Sequence, residues 1–168
     1  AYSTTKSYDG LNTIFTSSVT MPSVSSSKVN QLYWNLALTN TSGTYYFTTL
    51  NNSQTISKIQ FVICNASINV SFINFTLYSQ TNPYPKINNS FLGTFYYWVG
   101  DGSIKSNYTY QDISNTNSSF RFCVSPTDSP INIDANIEFG GLNNYAKNFF
   151  YYINQQISNT TTEQSLYL

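Results

Sequence analysis

Apolar and polar residues alternate along most of this chain, and the alternation predicts β-strands. The clearest case runs from Ile131 to Phe139, where Ile131, Ile133, Ala135, Ile137 and Phe139 alternate with polar residues. A period of two turns one set of side chains toward a core and the other toward solvent. We predict further strands at 32–38, 44–50, 58–64, 91–99, 107–113 and 120–124.

These strands together predict an all-β fold. About ten short strands, separated by turns at roughly ten-residue intervals, favour a β-sandwich of the Ig-like or pilin-like kind. Residues 100–103, Gly-Asp-Gly-Ser, give the sharpest turn signal, and 81–90 is predicted to be a loop. Leu142 to Gln155 fits either a helix or a strand, and we favour a strand. The last three residues are expected to end a final edge strand. We assign 25–168 to one head domain.

The stretch from Ile68 to Leu77 changes phase. Ile68, Val70 and Phe72 share one face, whereas Ile73, Phe75 and Leu77 share the other. A β-bulge near Phe72 would produce this shift. It would turn Asn69 and Asn74 outward.

The N-terminal segment, residues 1–24, contains a strand that the rest of the chain does not obviously need. One face of it carries Leu11, Thr13, Phe15, Ser17, Val19 and Met21. A polar leader with a turn at Asp9-Gly10 precedes the strand, and a Pro/Ser linker follows it. Two interpretations remain open here: the segment is the first strand of its own sandwich, or it is donated to the next subunit.

Composition narrows the function classes. The chain has seven basic and seven acidic residues among 168, and the basic residues are scattered singly. A nucleic-acid partner is not expected, because phosphate binding needs clustered Lys and Arg. Asn, Ser and Thr make up 66 residues, so the surface must be largely uncharged and should change little when carboxylates protonate near pH 4. The 29 aromatic residues, 12 Phe, 15 Tyr and 2 Trp, argue against disorder.

Several features indicate an extracellular location. The sequence does not begin with Met, which we interpret as removal of an upstream signal peptide. Cys64 and Cys123 each lie in a strand-like run and are expected to form one disulfide, although two buried free thiols are the alternative. Nine Asn-X-Ser/Thr sequons predict covalent N-glycans. The sequon asparagines are Asn40, Asn51, Asn65, Asn69, Asn74, Asn88, Asn107, Asn117 and Asn159.

Catalytic chemistry is scarce in the sequence. There is no His, which excludes a Ser-His-Asp triad and His-ligated metals. Asp134 and Glu138 share one strand face, but their spacing of about 13 Å suits neither glycosidase geometry. We therefore expect neither an enzyme nor a metal or other cofactor. No apolar run is long enough for a membrane span.

Two functions remain. In the first, the protein is a filament subunit whose N-terminal strand completes the sandwich of an identical neighbour through main-chain hydrogen bonds. In the second, it is a secreted carbohydrate- or receptor-binding module. Its exposed aromatic residues would then stack on sugar rings, and the candidates are Tyr96, Trp98, Tyr108 and Tyr110.

These features together resemble the thread-filament subunits of thermoacidophilic archaea: an Asn/Ser/Thr/Tyr-rich β-domain, many sequons, one Cys pair and a detachable alternating strand at the N-terminus. The resemblance covers the whole chain but rests on composition and layout. It implies a glycosylated head that holds the N-terminal strand of the next subunit in a groove, within a cell-surface homopolymer that serves adhesion or biofilm formation. A further hypothesis is an isopeptide bond from the Ala1 amine or Lys6 to an Asn or Asp of the neighbour.

Overall fold

A computed structural model of the protein describes residues 4–18, 24–81 and 84–168. The described residues form fourteen β-strands and no helix, so the prediction of an all-β fold is confirmed. In chain order the strands are β1 (Thr5–Asp9), β2 (Asn12–Thr16), β3 (Lys28–Leu32), β4 (Asn35–Asn40), β5 (Gly43–Thr48), β6 (Asn52–Ile56), β7 (Gln60–Ile63), β8 (Ser71–Tyr78), β9 (Phe91–Trp98), β10 (Ser106–Asp112), β11 (Ser119–Ser125), β12 (Ile131–Gly140), β13 (Lys147–Ile157) and β14 (Thr162–Tyr167).

Two four-stranded sheets share one core in a sandwich-like arrangement. The β9 sheet has the order β10-β9-β12-β13, and the β8 sheet has the order β14-β8-β11-β7. Aromatic rings bridge the sheets: the Phe61 and Phe95 ring centroids are 5.0 Å apart, and those of Phe75 and Phe91 are 5.6 Å apart. Aromatic pairs at such separations contribute more than their buried area alone. The sandwich core is therefore built largely from phenylalanine.

The strongest sequence patterns lie in this sandwich as predicted. The five alternating apolar residues from Ile131 to Phe139 are all buried in β12. Strand β9 pairs on both sides, with β10 and β12, which explains its bulky residues on both faces. The stretch 142–155, whose pattern fits a helix or a strand, contributes most of strand β13, so the favoured prediction of a strand is confirmed. The C-terminal residues form β14, an edge strand that runs parallel to β8.

The phase change at Phe72 is a bulge. Phe122 of β11 pairs with Ile73, but the next residue, Cys123, pairs with Ser71, which leaves Phe72 as the extra residue on β8. Because a bulge places two consecutive residues on one side, Phe72 and Ile73 are both fully buried. The predicted position of the bulge is confirmed.

Residues 28–56 form a separate two-stranded ribbon. Strand β3 pairs with β6, and β4 pairs with β5. Between the two pairs, Trp34 and Thr49 exchange hydrogen bonds of 2.9 Å, so the ribbon is continuous. The strands expected at 32–38 and 44–50 therefore exist, but they join neither sandwich sheet. Alternation predicts a strand but does not specify its partner.

Residues 5–9 of the polar leader form a strand. Strand β1 pairs with β2 in a hairpin, with Asp9 opposite Asn12. Gly10 has φ of +59°, and a Gly at the first loop position allows a two-residue connection whose twist matches the strands. The turn at Asp9-Gly10 is thus tight enough to fold the leader back onto the strand that follows it.

Candidate functional site

The N-terminal strand is paired only with its own leader. Among the described strands, β1 and β2 pair with each other and with no other strand. Thr13 and Phe15 lie on one face, opposite Tyr8 and Lys6. Leu11 is fully exposed in the turn rather than on that face. Ser17 is described but lies beyond β2, and Val19 and Met21 lie outside the described residues.

Strand β7 is an edge strand of the β8 sheet. Among the described strands it pairs only with β11. The Cys64 N–H donates to the Arg121 carbonyl of β11. Because successive residues of a strand direct their backbone groups to opposite sides, Phe61 and Ile63 direct theirs away from β11. The Ile63 N–H donates to the Tyr108 hydroxyl at 3.3 Å. Within the described part of the chain, the Phe61 N–H and C=O and the Ile63 C=O have no hydrogen-bond partner.

A largely apolar groove runs beside this edge. One cavity of about 810 Å³ lies at the base of the ribbon, and a second of about 430 Å³ lies against β7. Ile59 and Tyr97 line both cavities, so the two adjoin. We call the two cavities together the edge groove. Its other apolar and aromatic walls include Ile56, Trp98, Pro126, Ile131, Phe61 and Tyr108, and its polar walls include Ser25, Ser26, Ser27 and Gln60.

Few charges border the edge groove. Asp101 and Asp128 line the larger cavity, and Lys58 lines the smaller. The backbone N–H of Ser103, 3.0 Å from the Asp101 carboxylate, lowers the pKa of Asp101 below its ordinary value. This carboxylate stays ionised at neutral pH and lies fully exposed at the groove mouth. The groove thus suits uncharged side chains rather than a charged ligand.

The disulfide predicted from the sequence is present. Cys64, directly after β7, is bonded to Cys123 of β11, with their Cα atoms 4.9 Å apart. The bond ties the open edge strand to the centre of the β8 sheet. Strand β7 is only four residues long, so this bond adds a constraint where the backbone ladder is short.

Eight of the nine sequon asparagines are exposed, and Asn74 is the exception. Its Nδ2 donates to Glu163 at 2.8 Å, and its Oδ1 accepts from the Ser119 hydroxyl at 2.8 Å. Asn74 faces away from the core as expected, but β14 covers it. At Asn40 and Asn65, by contrast, Oδ1 accepts the N–H of the sequon serine at 2.8 and 2.9 Å. In these Asx turns Oδ1 is the bonded atom, and Nδ2 has no hydrogen-bond partner in the described part of the chain.

The aromatic residues proposed as a sugar platform do not form one surface. Tyr96 is half exposed, but Trp98 is buried, and the Lys105 ammonium lies 3.7 Å from its ring centroid. Tyr108 and Tyr110 pack against the core. Sequence alternation places residues on a common face but does not show which rings that face leaves uncovered.

Asp134 and Glu138 form two separate ion pairs. Lys105 contacts Asp134 at 3.2 Å, and Lys147 contacts Glu138 at 2.6 Å. Among the described residues no group of three or more His, Cys, Asp or Glu side chains is placed to hold a metal ion. The described part of the chain also contains no helix with the length and apolar character needed to cross a membrane.

Comparison with protein-family models, with curated proteins and with solved structures found no match to this chain. The sequence did not identify the edge groove, because its walls come from segments far apart in the chain. The one available signal was the short run at 58–64, which is typical of an edge strand.

Proposed function

We propose that this protein is a structural subunit of an extracellular, N-glycosylated filament, in which the N-terminal strand of one subunit enters the edge groove of the next. The filament would lie at the cell surface and serve adhesion or biofilm formation, as in the archaeal threads that the chain resembles. One observation carries the proposal: among the described residues, strand β7 is an edge strand beside the edge groove, and β2 is paired only with its own leader.

The two parts complement each other chemically. An incoming strand would pair with the outward backbone groups of Phe61 and with the Ile63 carbonyl, as an added strand of the β8 sheet. The Ile63 N–H would exchange the Tyr108 hydroxyl for this strand. Alternate side chains of that strand would point into the groove, where Ile59 and Tyr97 provide apolar contacts. Phe15 is the bulkiest residue on the predicted donor face. Main-chain hydrogen bonds would supply the linkage, and this side chain would set the register.

The N-terminal hairpin is suited to exchange its partner. An isolated two-stranded hairpin is at best marginally stable in water. All of β1 and most of β2 are exposed, so little apolar burial holds them together. Pairing in the groove would bury Phe15 and add hydrogen bonds. In this scheme, the hairpin of β1 with β2 is the form that the N-terminal segment adopts before the subunit assembles.

The connecting segment is long enough for the strand to leave its own subunit. Eleven residues lie between Thr16, the end of β2, and Lys28, the start of β3. Fully extended, they span at most about 40 Å. This reach exceeds the thickness of a two-sheet sandwich, whose sheets pack about 10 Å apart.

Paired substitutions in the full chain test the proposal. Phe15→Asp places a charge on the proposed groove-facing side, and Ile14→Asp places it on the opposite side of the same strand. We expect wild-type protein and Ile14→Asp to form filaments in negative-stain images, and Phe15→Asp to remain monomeric. Equal assembly by both variants would contradict the proposal.

A cross-link then identifies the acceptor and shows that the strand crosses between molecules. Thr13→Cys protein is mixed with Gln60→Cys protein, so that any heterodimeric disulfide must be intermolecular. Gln156→Cys, on the edge strand β13 of the other sheet, is the matched control for Gln60→Cys. We expect the heterodimer with Gln60→Cys alone. If the strand enters its own subunit, only a Thr13→Cys/Gln60→Cys double variant will cross-link, within one chain.

A further inference from the structure

Tyr96 lies directly opposite Asn107, the asparagine of a sequon. Asn107 of β10 pairs with Tyr96 of β9, and both face away from the core, since their neighbours Phe95 and Tyr97 are buried. Directly opposite residues in an antiparallel pair have Cβ atoms about 4.5–5.5 Å apart. Tyr96 is 50% exposed. A half-exposed aromatic ring therefore lies within one side-chain length of an asparagine in the sequence Asn107-Tyr108-Thr109.

The Asn107 amide is available for modification. Its side chain is exposed and makes no hydrogen bond within the described part of the chain. Three other sequon asparagines use Nδ2 as a donor: Asn74 to Glu163, Asn117 to Asp112, and Asn159 to the Thr127 carbonyl. Attachment at Asn107 disrupts no such contact.

The surroundings of Tyr96 suit carbohydrate. On one side, Asp134 pairs with Lys105, which also covers Trp98, so these polar groups are already satisfied. In the next row along the sheet are Thr94 and Thr109, paired with each other across β9 and β10. A pyranose ring has an apolar C–H face, which can lie on the Tyr96 ring, and hydroxyls at its rim, which can bond to threonine hydroxyls.

We propose that the carbohydrate attached to Asn107 folds back across the β9 sheet and covers Tyr96. This inference rests on the N-glycosylation in the proposed function but not on strand donation. Tethering favours the Asn107 glycan over a free ligand or a second subunit as the group that covers Tyr96. Covalent attachment makes the contact intramolecular and so removes most of the entropy cost of association. The glycan would then be a structural part of the sheet face rather than only a solubilising group.

A double-mutant cycle on the full chain, produced in a host that glycosylates it, tests the contact. The four proteins are wild type, Asn107→Gln, Tyr96→Ala and the double variant, with occupancy of Asn107 measured by glycopeptide mass spectrometry. We expect Asn107→Gln to lower Tm by about 2–4 °C in the wild-type background. In the Tyr96→Ala background the loss should be absent, because the glycan has no ring to cover.

Two controls separate the contact from general effects. Phe149→Ala removes another exposed ring of the same sheet, on β13. In the Phe149→Ala background, Asn107→Gln should still lower Tm by the full amount. The same four-protein cycle in unglycosylated material should show additive effects. Thr109→Ala, which abolishes the sequon but keeps Asn107, should reproduce the loss of Tm caused by Asn107→Gln.

Chemical protection gives a second readout. We expect nitration of Tyr96 to be several-fold slower in glycosylated than in unglycosylated protein, while Tyr151, exposed on β13, reacts equally in both. An unoccupied Asn107, additive effects in the glycosylated cycle, or equal nitration of Tyr96 would each overturn the inference. None of these results would bear on whether filaments form.

Discussion

Cys64 and Cys123 are bonded across the β8 sheet with a Cα–Cα distance of 4.9 Å, and Cys64 directly follows the open edge strand β7. This bond therefore secures the strand that borders the edge groove. It closes a loop with a sequence separation of 59 residues.

Removal of the disulfide should destabilise the sandwich. The chain-entropy model gives about 4 kcal/mol for a loop of this size. We expect Cys64→Ala/Cys123→Ala to lower the free energy of unfolding in urea by about 2–4 kcal/mol, with β7 amides losing hydrogen-exchange protection first. Reductant should affect wild type but not this variant. An unchanged urea midpoint would show that the bond is not needed to hold β7.

Asn74 should contribute to stability as a buried linker of three strands. It connects β8 to β14 through Glu163 and to β11 through Ser119. Asn74→Ala leaves both partners without this amide, and we expect a loss of about 1–3 kcal/mol in urea unfolding. Asn69→Ala, an exposed sequon position in a loop, should change stability by less than about 0.5 kcal/mol.

Sequon occupancy should follow the same geometry. Because Asn74 is covered and its Nδ2 is bonded, we expect its peptide to be unmodified in filaments or secreted protein. Asn40 and Asn65 are exposed and only their Oδ1 atoms are bonded within the described chain, so they should carry glycans. Site-specific mass spectrometry measures this directly. Full occupancy at Asn74 would mean that β14 docks differently in the mature subunit.

Acid should reduce stability only below about pH 4. The Asn154 N–H, 2.7 Å from Asp134, lowers the pKa of that carboxyl below its ordinary value of 3.8, and Lys105 adds to the effect. A carboxyl whose pKa is lower in the folded than in the unfolded state stabilises the fold at pH values above its unfolded-state pKa. This stabilisation is lost as the pH falls through the folded-state pKa. With no His in the chain, Tm should be nearly constant from about pH 5 to 8.

Thermal unfolding followed by circular dichroism between pH 2 and 8 checks this profile. Asp134→Asn should make the fall in Tm below pH 4 less steep. Asp9→Asn removes the same charge from the N-terminal hairpin, outside the sandwich, and should leave the decline unchanged. A main transition near pH 6 would contradict the assignment.

Weakening the N-terminal hairpin should speed assembly if strand donation is correct. Gly10 has φ of +59° with open space around its Cα, so Gly10→Ala adds backbone strain without a clash. A strain of about 1 kcal/mol raises the open fraction of the hairpin about fivefold. Light scattering should show a corresponding rise in the assembly rate. Gly100→Ala, with φ of +65° and open space in another turn, should not accelerate assembly.

Local patterns predicted the sandwich strands well. The alternation in β12, the bulge at Phe72 and the turn after β9 depend on side chains close together in sequence. The disulfide was predictable because the chain has two cysteines, each in a strand-like run. These features require no knowledge of which strand lies beside which.

Local patterns did not predict which strands pair with each other or which side chains another strand covers. The 28–56 ribbon alternates like a sandwich strand, yet its two halves pair with each other. Asn74 and Asn107 are both sequon asparagines on strands, but β14 covers one and nothing in the described chain covers the other.

The sequence by itself determined where strands form, which residues face inward along each one, and that the surface is largely uncharged and rich in sequons, because these properties arise from the chemistry of neighbouring residues. Only the tertiary structure decided that β7 is an edge, that a groove opens beside it, and that Tyr96 lies opposite Asn107. These relationships join residues tens of positions apart, and they depend on sheet order, which a period of two leaves undetermined.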